Sequence, residues 1–156
     1  PVDQAPTRVT ARLKIHKTAG YRPCHHLNQW HWGYTDLSSL AVDRYEWAAA
    51  QSGDELAVLV GDYRRAGELI SAADWSSALR LLESSRSRIE DQLGNDDAPT
   101  LATWGNLHLK SGLAAAHAGQ RDLADAHLAE ARETAARIGV DRDDYRLCFG
   151  PTNVNI

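Results

Sequence analysis

The chain has no methionine, a single phenylalanine and only two cysteines. Cys24 and Cys148 lie far apart and neither belongs to a C-x-x-C pair, so their spacing implies neither a disulfide framework nor a zinc-binding pair. Long apolar runs are also missing. The longest aliphatic stretch is Leu56-Ala57-Val58-Leu59-Val60, far short of the ~20 residues a membrane-spanning helix needs. No signal-peptide pattern opens the chain, and a cytoplasmic location is expected by default. Several catalytic signatures are absent as well: G-x-S-x-G, a phosphate-cradling glycine loop, H-E-x-x-H, and any Cys/His nucleophile arrangement. The missing methionine, the start at Pro1 and the helix start cut short at Pro151 are read as marks of an excerpt from a longer chain.

What is present is an ordinary globular composition, 43% hydrophobic and 24% charged, on 156 residues, enough for one domain with a sizeable core. The net charge of -4 argues against a general nucleic-acid or membrane-surface binder. The charge is uneven. Arg8, Arg12, Lys14, Lys17 and Arg22 face only Asp3 in residues 1–34, whereas the rest carries 12 basic and 20 acidic residues. This basic end is either a solvated face or a contact for an acidic neighbour.

Helix punctuation recurs along the chain. Asp36, Asp54 and Asp74 stand where N-caps belong, ahead of segments reaching Gln51, Ser71 and Leu93. Pro99 opens a long helix to Ala118, and a last full helix runs from about Asp122 to Ile138. Gly53, Gly94, Gly119 and Gly139 follow the helix ends. Apolar residues recur at spacings of three and four, with no alternation long enough for a strand. Before residue 36, Thr7 to Ala19 reads as a helix interrupted by Gly20 and Pro23, with a restart at Pro23.

Helices joined by such short links fold as successive antiparallel hairpins, here roughly 7–52, 54–93 and 98–138, with a further helix starting at Pro151. Self-comparison points to a stack. His108, Ser111, Gly112 and Ala115 are followed by Ala124, Leu128 and Ala131; Ala66, Leu69, Ala78, Leu82 and Ser85 repeat the spacing. A degenerate copy falls on His25, Asn28, Leu37 and Ala41. Copies about 41 and about 46 residues apart, against the usual ~34, give long helices in a tetratricopeptide-like arrangement. Small residues at the crossings let helix backbones approach closely. The expected fold is all-α: a single tetratricopeptide-like, right-handed superhelical stack over residues 1–156, with no sheet.

The segments "NLHLKSGLAAAHAG", "ADAHLAEARETAARIG" and "DRDDYRLCFGPTNV" follow in an order and spacing that carry a family resemblance. The chain resembles the C-terminal tetratricopeptide-like region of actinobacterial helix-turn-helix transcriptional regulators of the Cro/repressor (XRE) type. The match is best over residues 98–154 and fair over 35–97. Fourteen arginines against three lysines also suit a GC-rich genome. The resemblance implies an N-terminal DNA-binding domain ahead of repeats that bind an effector or mediate assembly. This chain departs from it in having no helix-turn-helix and in the His- and Trp-rich stretch over residues 19–34.

In "CHHLNQWHWGY", Cys24, His25, His26 and His31 are of metal-ligating types. Their separations are not the i, i+3 or i, i+4 that place two ligands on one helix face, so the cluster is a weak metal candidate and no cofactor is expected. Packing of Trp30, Trp32 and a histidine is the plainer role. "NDDAP" and "DRDDY" read as helix capping rather than calcium binding, and "FGPTN" as a helix start with Phe149 packing back on the preceding hairpin.

What remains is a concave groove lined by the first helix of each hairpin. Its expected residues are Arg22, His26, Gln29 and Trp30; then Val60, Tyr63 and Ile70; then Asn106, Leu109, Leu113 and His117. Aromatic, amide and imidazole tips over apolar area suit a peptide, protein or small-molecule effector. The reading is non-enzymatic, with no specific DNA contact by this chain and no membrane role. Two other readings stand beside it: a dimerisation module, giving a homodimer, and a small metalloenzyme using the Cys24/His25/His26/His31 cluster with His26, His117 and Tyr63 as groove groups.

Overall fold

The structure, a computed structural model, describes residues 35–155. The expectations placed on Arg22, Cys24, His25, His26, Gln29, Trp30 and His31, on the restart at Pro23 and on the first half of the 7–52 hairpin lie outside the described residues. Within them the chain is mostly helical. α1 spans Thr35–Ser52, α2 Glu55–Ser71, α3 Trp75–Ser87, α4 Ala98–His117 and α5 Arg121–Ile138; a 3₁₀ turn covers Glu90–Asn95. Two short strands follow, β1 (Arg142–Asp144) and β2 (Leu147–Phe149), then one turn of helix, α6 (Pro151–Val154). No helix among the described residues is long and apolar enough to cross a membrane.

Three caps act as the sequence suggests, whereas Asp36, expected to cap α1, lies inside it, since that helix already starts at Thr35. Asp54, Asp74 and Asp97 each accept a backbone N–H three residues on, from Ala57 (3.2 Å), Ser77 (3.1 Å) and Thr100 (3.0 Å). Gly53, Gly119 and Gly139 turn the chain in the left-handed region just past helix ends, where a Cβ is disfavoured. Two expectations need correction. The third helix stops at Ser87 and not at Leu93, because Ser85 and Ser87 turn their hydroxyls onto the carbonyls of Leu81 and Glu83, weakening the last turn. The left-handed residue after it is Asp96, not Gly94. No side chain caps α5; Asp122 lies in its first turn, where its charge favours the helix dipole.

α2 packs against α1 on one side and against both α3 and α4 on the other, and α4 pairs closely with α5. Leu59, Val60, Leu82, Ile89 and Leu107 are fully buried at the α2–α3–α4 junction. Each such side chain contributes about 1.5–3 kcal/mol relative to exposure. The α4–α5 crossing rests on Gly112: a Cβ there would lie 3.3 Å from Leu128 and 3.5 Å from the Ala124 carbonyl. Small residues therefore set this close approach, as their spacing suggested.

The expectation of no sheet is also corrected. β1 and β2 form an antiparallel pair, with Arg142 opposite Phe149 and Asp144 opposite Leu147. Leu147 and Phe149 point inward, while Cys148 between them is half-buried, the alternation a strand produces. Tyr145 and Arg146 make the connecting turn with φ of 52° and 61°, a conformation that two-residue hairpins usually give to Asn-Gly. The strain is offset by packing and by the Tyr145 hydroxyl, which donates to Asp54 Oδ2 at 2.7 Å. Capping by the "DRDDY" carboxylates is seen at Asp141, which takes the Thr152 N–H (3.0 Å) and hydroxyl (2.5 Å) at the start of α6.

Candidate functional site

α2 and α4 lie side by side, and the expected groove residues on them fall in different environments. Val60 and Tyr63 belong to the core, and Ile70 is half-buried beside it. Asn106 is buried, its amide 3.5 Å from the Leu147 carbonyl. Leu109 is half-buried against the alanines under Phe149. Leu113 is 46% exposed, and His117 is exposed and stacked on Trp75, with ring centroids 6.1 Å apart and planes 16° apart. The β-hairpin separates these environments: it covers α4 at Asn106 and leaves the face open at Leu113.

Sequence reasoning missed the charged groups on this face. The Lys110 ammonium sits 4.1 Å from the Tyr63 ring centroid, and the Arg64 guanidinium 4.8 Å from that of Tyr45. Lys110 is buried, and burial first, then the charge of Arg64, brings its pKa down to about 8. Burial raises Tyr63 well above the usual phenol range, with Arg64 opposing. The available signal was a lysine inside the otherwise apolar "NLHLKSGL", set one residue from the groove stripe.

A second polar group lies beneath, where α3, α4 and α5 meet. His108 and His127 are buried with their Nδ1 atoms 3.1 Å apart, so one must donate and the other accept. His108 Nε2 is buried with no partner among the described residues. Placing the shared proton on His108 Nδ1 leaves a bare lone pair there and no orphaned N–H, the cheaper arrangement. Trp104 tilts against His108 (4.7 Å between centroids) and donates from Nε1 to Glu130 Oε1 at 3.2 Å. The buried Arg86 guanidinium binds the Ser111 hydroxyl and the Glu83 carboxylate. Burial, Arg86 and His127 together press His108 down to about 3; burial and Arg86 also lower His127. Both imidazoles are therefore neutral at physiological pH.

No cluster of three or more His, Cys, Asp or Glu side chains fit to hold a metal occurs among the described residues. Cys148 has a partner, so it is not offered as a nucleophile or ligand. What the arrangement provides is two cations set against tyrosine rings, Lys110 of α4 on Tyr63 of α2 and Arg64 of α2 on Tyr45 of α1, beside a buried polar network. Comparison of the chain with protein-family profiles, with curated proteins and with solved structures finds no match.

Proposed function

We propose that this chain is the effector- or partner-binding region of a helix-turn-helix transcriptional regulator, a tetratricopeptide-like stack that binds a small molecule or peptide on the α2–α4 face. The observation that carries the reading is the chemistry of that face. Arg64 and Lys110 stand over tyrosine rings, and the buried Asn106 amide reaches the Leu147 carbonyl, where a purely structural bundle would place aliphatic side chains. The packing of α2 on both α3 and α4, with Ala66, Ala78 and Gly112 buried, supports the repeat-like arrangement. Apolar area gives such a ligand affinity, and the charged and amide tips orient it.

The reading is tested by titrating the ¹⁵N-labelled chain with a mixed library of short peptides and small organic fragments. Amide shifts are expected over residues 60–67 of α2 and 106–113 of α4, and shifts confined to other surfaces would overturn the assignment. The same chain should not retard duplex DNA sequence-specifically at ~150 mM salt, where phosphate contacts made by a few cations are heavily screened.

A specific observation favours a second reading, a dimerisation module. Leu37, Leu40 and Trp47 on α1 are 64%, 46% and 71% exposed. Sedimentation velocity over a hundredfold concentration range separates the two. A monomer is expected, and a concentration-independent dimer with no shift on the α2–α4 face would favour assembly.

A further inference from the structure

Tyr63 and Lys110 each have a partner besides the other, and Cys148 is held in a disulfide. The chain has one other cysteine, Cys24, although the spacing of the two gives no hint of a pair. The three residues are neighbours. Leu147 packs in one cluster with Tyr63, and its carbonyl lies 3.5 Å from the Asn106 amide, one helical turn from Lys110. Cys148 follows Leu147 on β2, half-buried, with the exposed Asp143 opposite it.

The chain ahead of Thr35 holds the chemistry to supply all three partners. Cys24 stands eleven residues before α1, a span of at most about 36–40 Å when extended. α1 packs on α2, which carries Tyr63, so that reach suffices. Tyr21, Trp30, Trp32 and Tyr34 are ring partners for an ammonium, and Arg22 is a cation partner for a tyrosine ring or for Asp143. Residues 1–34 carry five basic residues against Asp3, while the rest carries 12 basic and 20 acidic, so the two parts attract.

We propose that residues 1–34 dock beside Tyr63 and Lys110 on α2 and α4, held there by a disulfide between Cys24 and Cys148. The tether is intramolecular and keeps the segment at high effective concentration over these helices. It also makes the docking redox-dependent. Closing the bond joins the two sulfurs and releases two protons and two electrons; a small-molecule disulfide such as oxidised glutathione accepts them and leaves as two thiols. In a reducing compartment the pair opens and the tether is lost. The proposal stands independently of the ligand reading, and where both hold, the docked segment competes with the ligand.

The whole chain equilibrated with oxidised glutathione is expected to lose both thiols and to yield a Cys24–Cys148 peptide pair in a non-reducing digest. Its ¹⁵N spectrum should differ from that of the reduced chain over residues 60–67 and 106–113, well beyond the strand that carries the bond. Cys24→Ser, which changes no residue of the described fold, should give the reduced spectrum even under oxidising conditions, and Cys148→Ser should match it over the same two helices. Two persistent free thiols, glutathione adducts on each cysteine or a disulfide-linked dimer overturns the tether. Shifts confined to residues 142–149 or to α1 overturn the docking. A ligand found in the library titration should bind the reduced chain at least tenfold more tightly than the oxidised chain, and equal affinity overturns the docking. A library without binders overturns only the ligand reading, because thiols and amide shifts are read with no ligand present.

Discussion

Phe149→Ala is expected to lower the free energy of unfolding by about 3–5 kcal/mol, the range for emptying a well-packed aromatic site. Phe149 is the only phenylalanine in the chain and is fully buried. Its ring lies directly on Gly105 of α4, with Ala102, Ala131 and Ala135 around it and Val154 closing the far side. Those neighbours are too small to collapse into the space the ring leaves, so the cavity term should be near its upper end. The reverse substitution checks the same packing. A Cβ at Gly105 would fall inside the Phe149 ring, so Gly105→Ala should destabilise by about 1–3 kcal/mol, although alanine is the better helix former by ~1 kcal/mol. Urea unfolding followed by far-ultraviolet circular dichroism measures both. Losses below 1 kcal/mol for Phe149→Ala, or a gain for Gly105→Ala, would mean that the hairpin does not dock on α4.

That docking decides how the candidate face is presented, and it was the feature least legible in the sequence. The aspartate caps and the small residues at the crossings could be read because each acts through its near neighbours: Asp54 on Ala57, Gly112 against Leu128. The hairpin could not. Its strands are too short to show alternation, and Tyr145-Arg146 adopts a turn that local propensity would assign to Asn-Gly. Tertiary contacts hold it there, among them the Asp54 bond and the packing of Leu147 and Phe149. Asn106, Leu113 and His117 do share one stripe of α4, as helical spacing requires. The hairpin then covers the stripe at Asn106 and leaves Leu113 and His117 open, so burial differs along it for a reason that spacing cannot contain.

The consequence for Tyr63 is direct. Helical spacing places it on the groove, yet its ring is built into the core under Lys110. Tyr63→Ala would therefore open a core cavity and so report on stability first, whereas His117→Ala, at an exposed position, would leave the core untouched. Arg64 and Lys110 escaped notice because a cation on an amphipathic helix ordinarily reads as solvated. Burial of Lys110 follows from how α2 and α4 are brought together and from nothing local to "HLKSG".

Acidification should cost the fold about 2 kcal/mol between pH 6 and pH 4, through the buried histidine pair. In the unfolded chain both imidazoles titrate near 6.5. In the fold His108 is held down to about 3, and His127 is lowered too, by burial and then by the Arg86 charge. The charged groups bearing on the pair are Arg86 and Glu83 from α3 and Glu130 from α5, and of these Glu83 alone is set to favour protonation of His127. Above pH 6.5 the histidines are neutral in both states and stability is independent of their titration. As pH falls below that value, the unfolded chain takes up protons that the fold refuses, so stability declines through the window from about 6.5 toward about 3. One refused proton corresponds to about 1.4 kcal/mol per pH unit; the outer edge of the pair is nearer solvent, which reduces the expected slope to about 1. The hydrogen-bonded carboxylates of Asp74 and Asp141 act in the same direction, but only as pH falls through about 3.8 and lower, beneath the pH 6 to 4 interval. Urea midpoints across the pH series would test this, with His108→Asn flattening the decline and Arg86→Met making it shallower. A stability curve flat from pH 6.5 to 4.5 would mean that the pair is open to water. Because His108 and the lysine that faces Tyr63 share α4, protonation would push α4 and α5 apart and disturb the candidate face through the same helix.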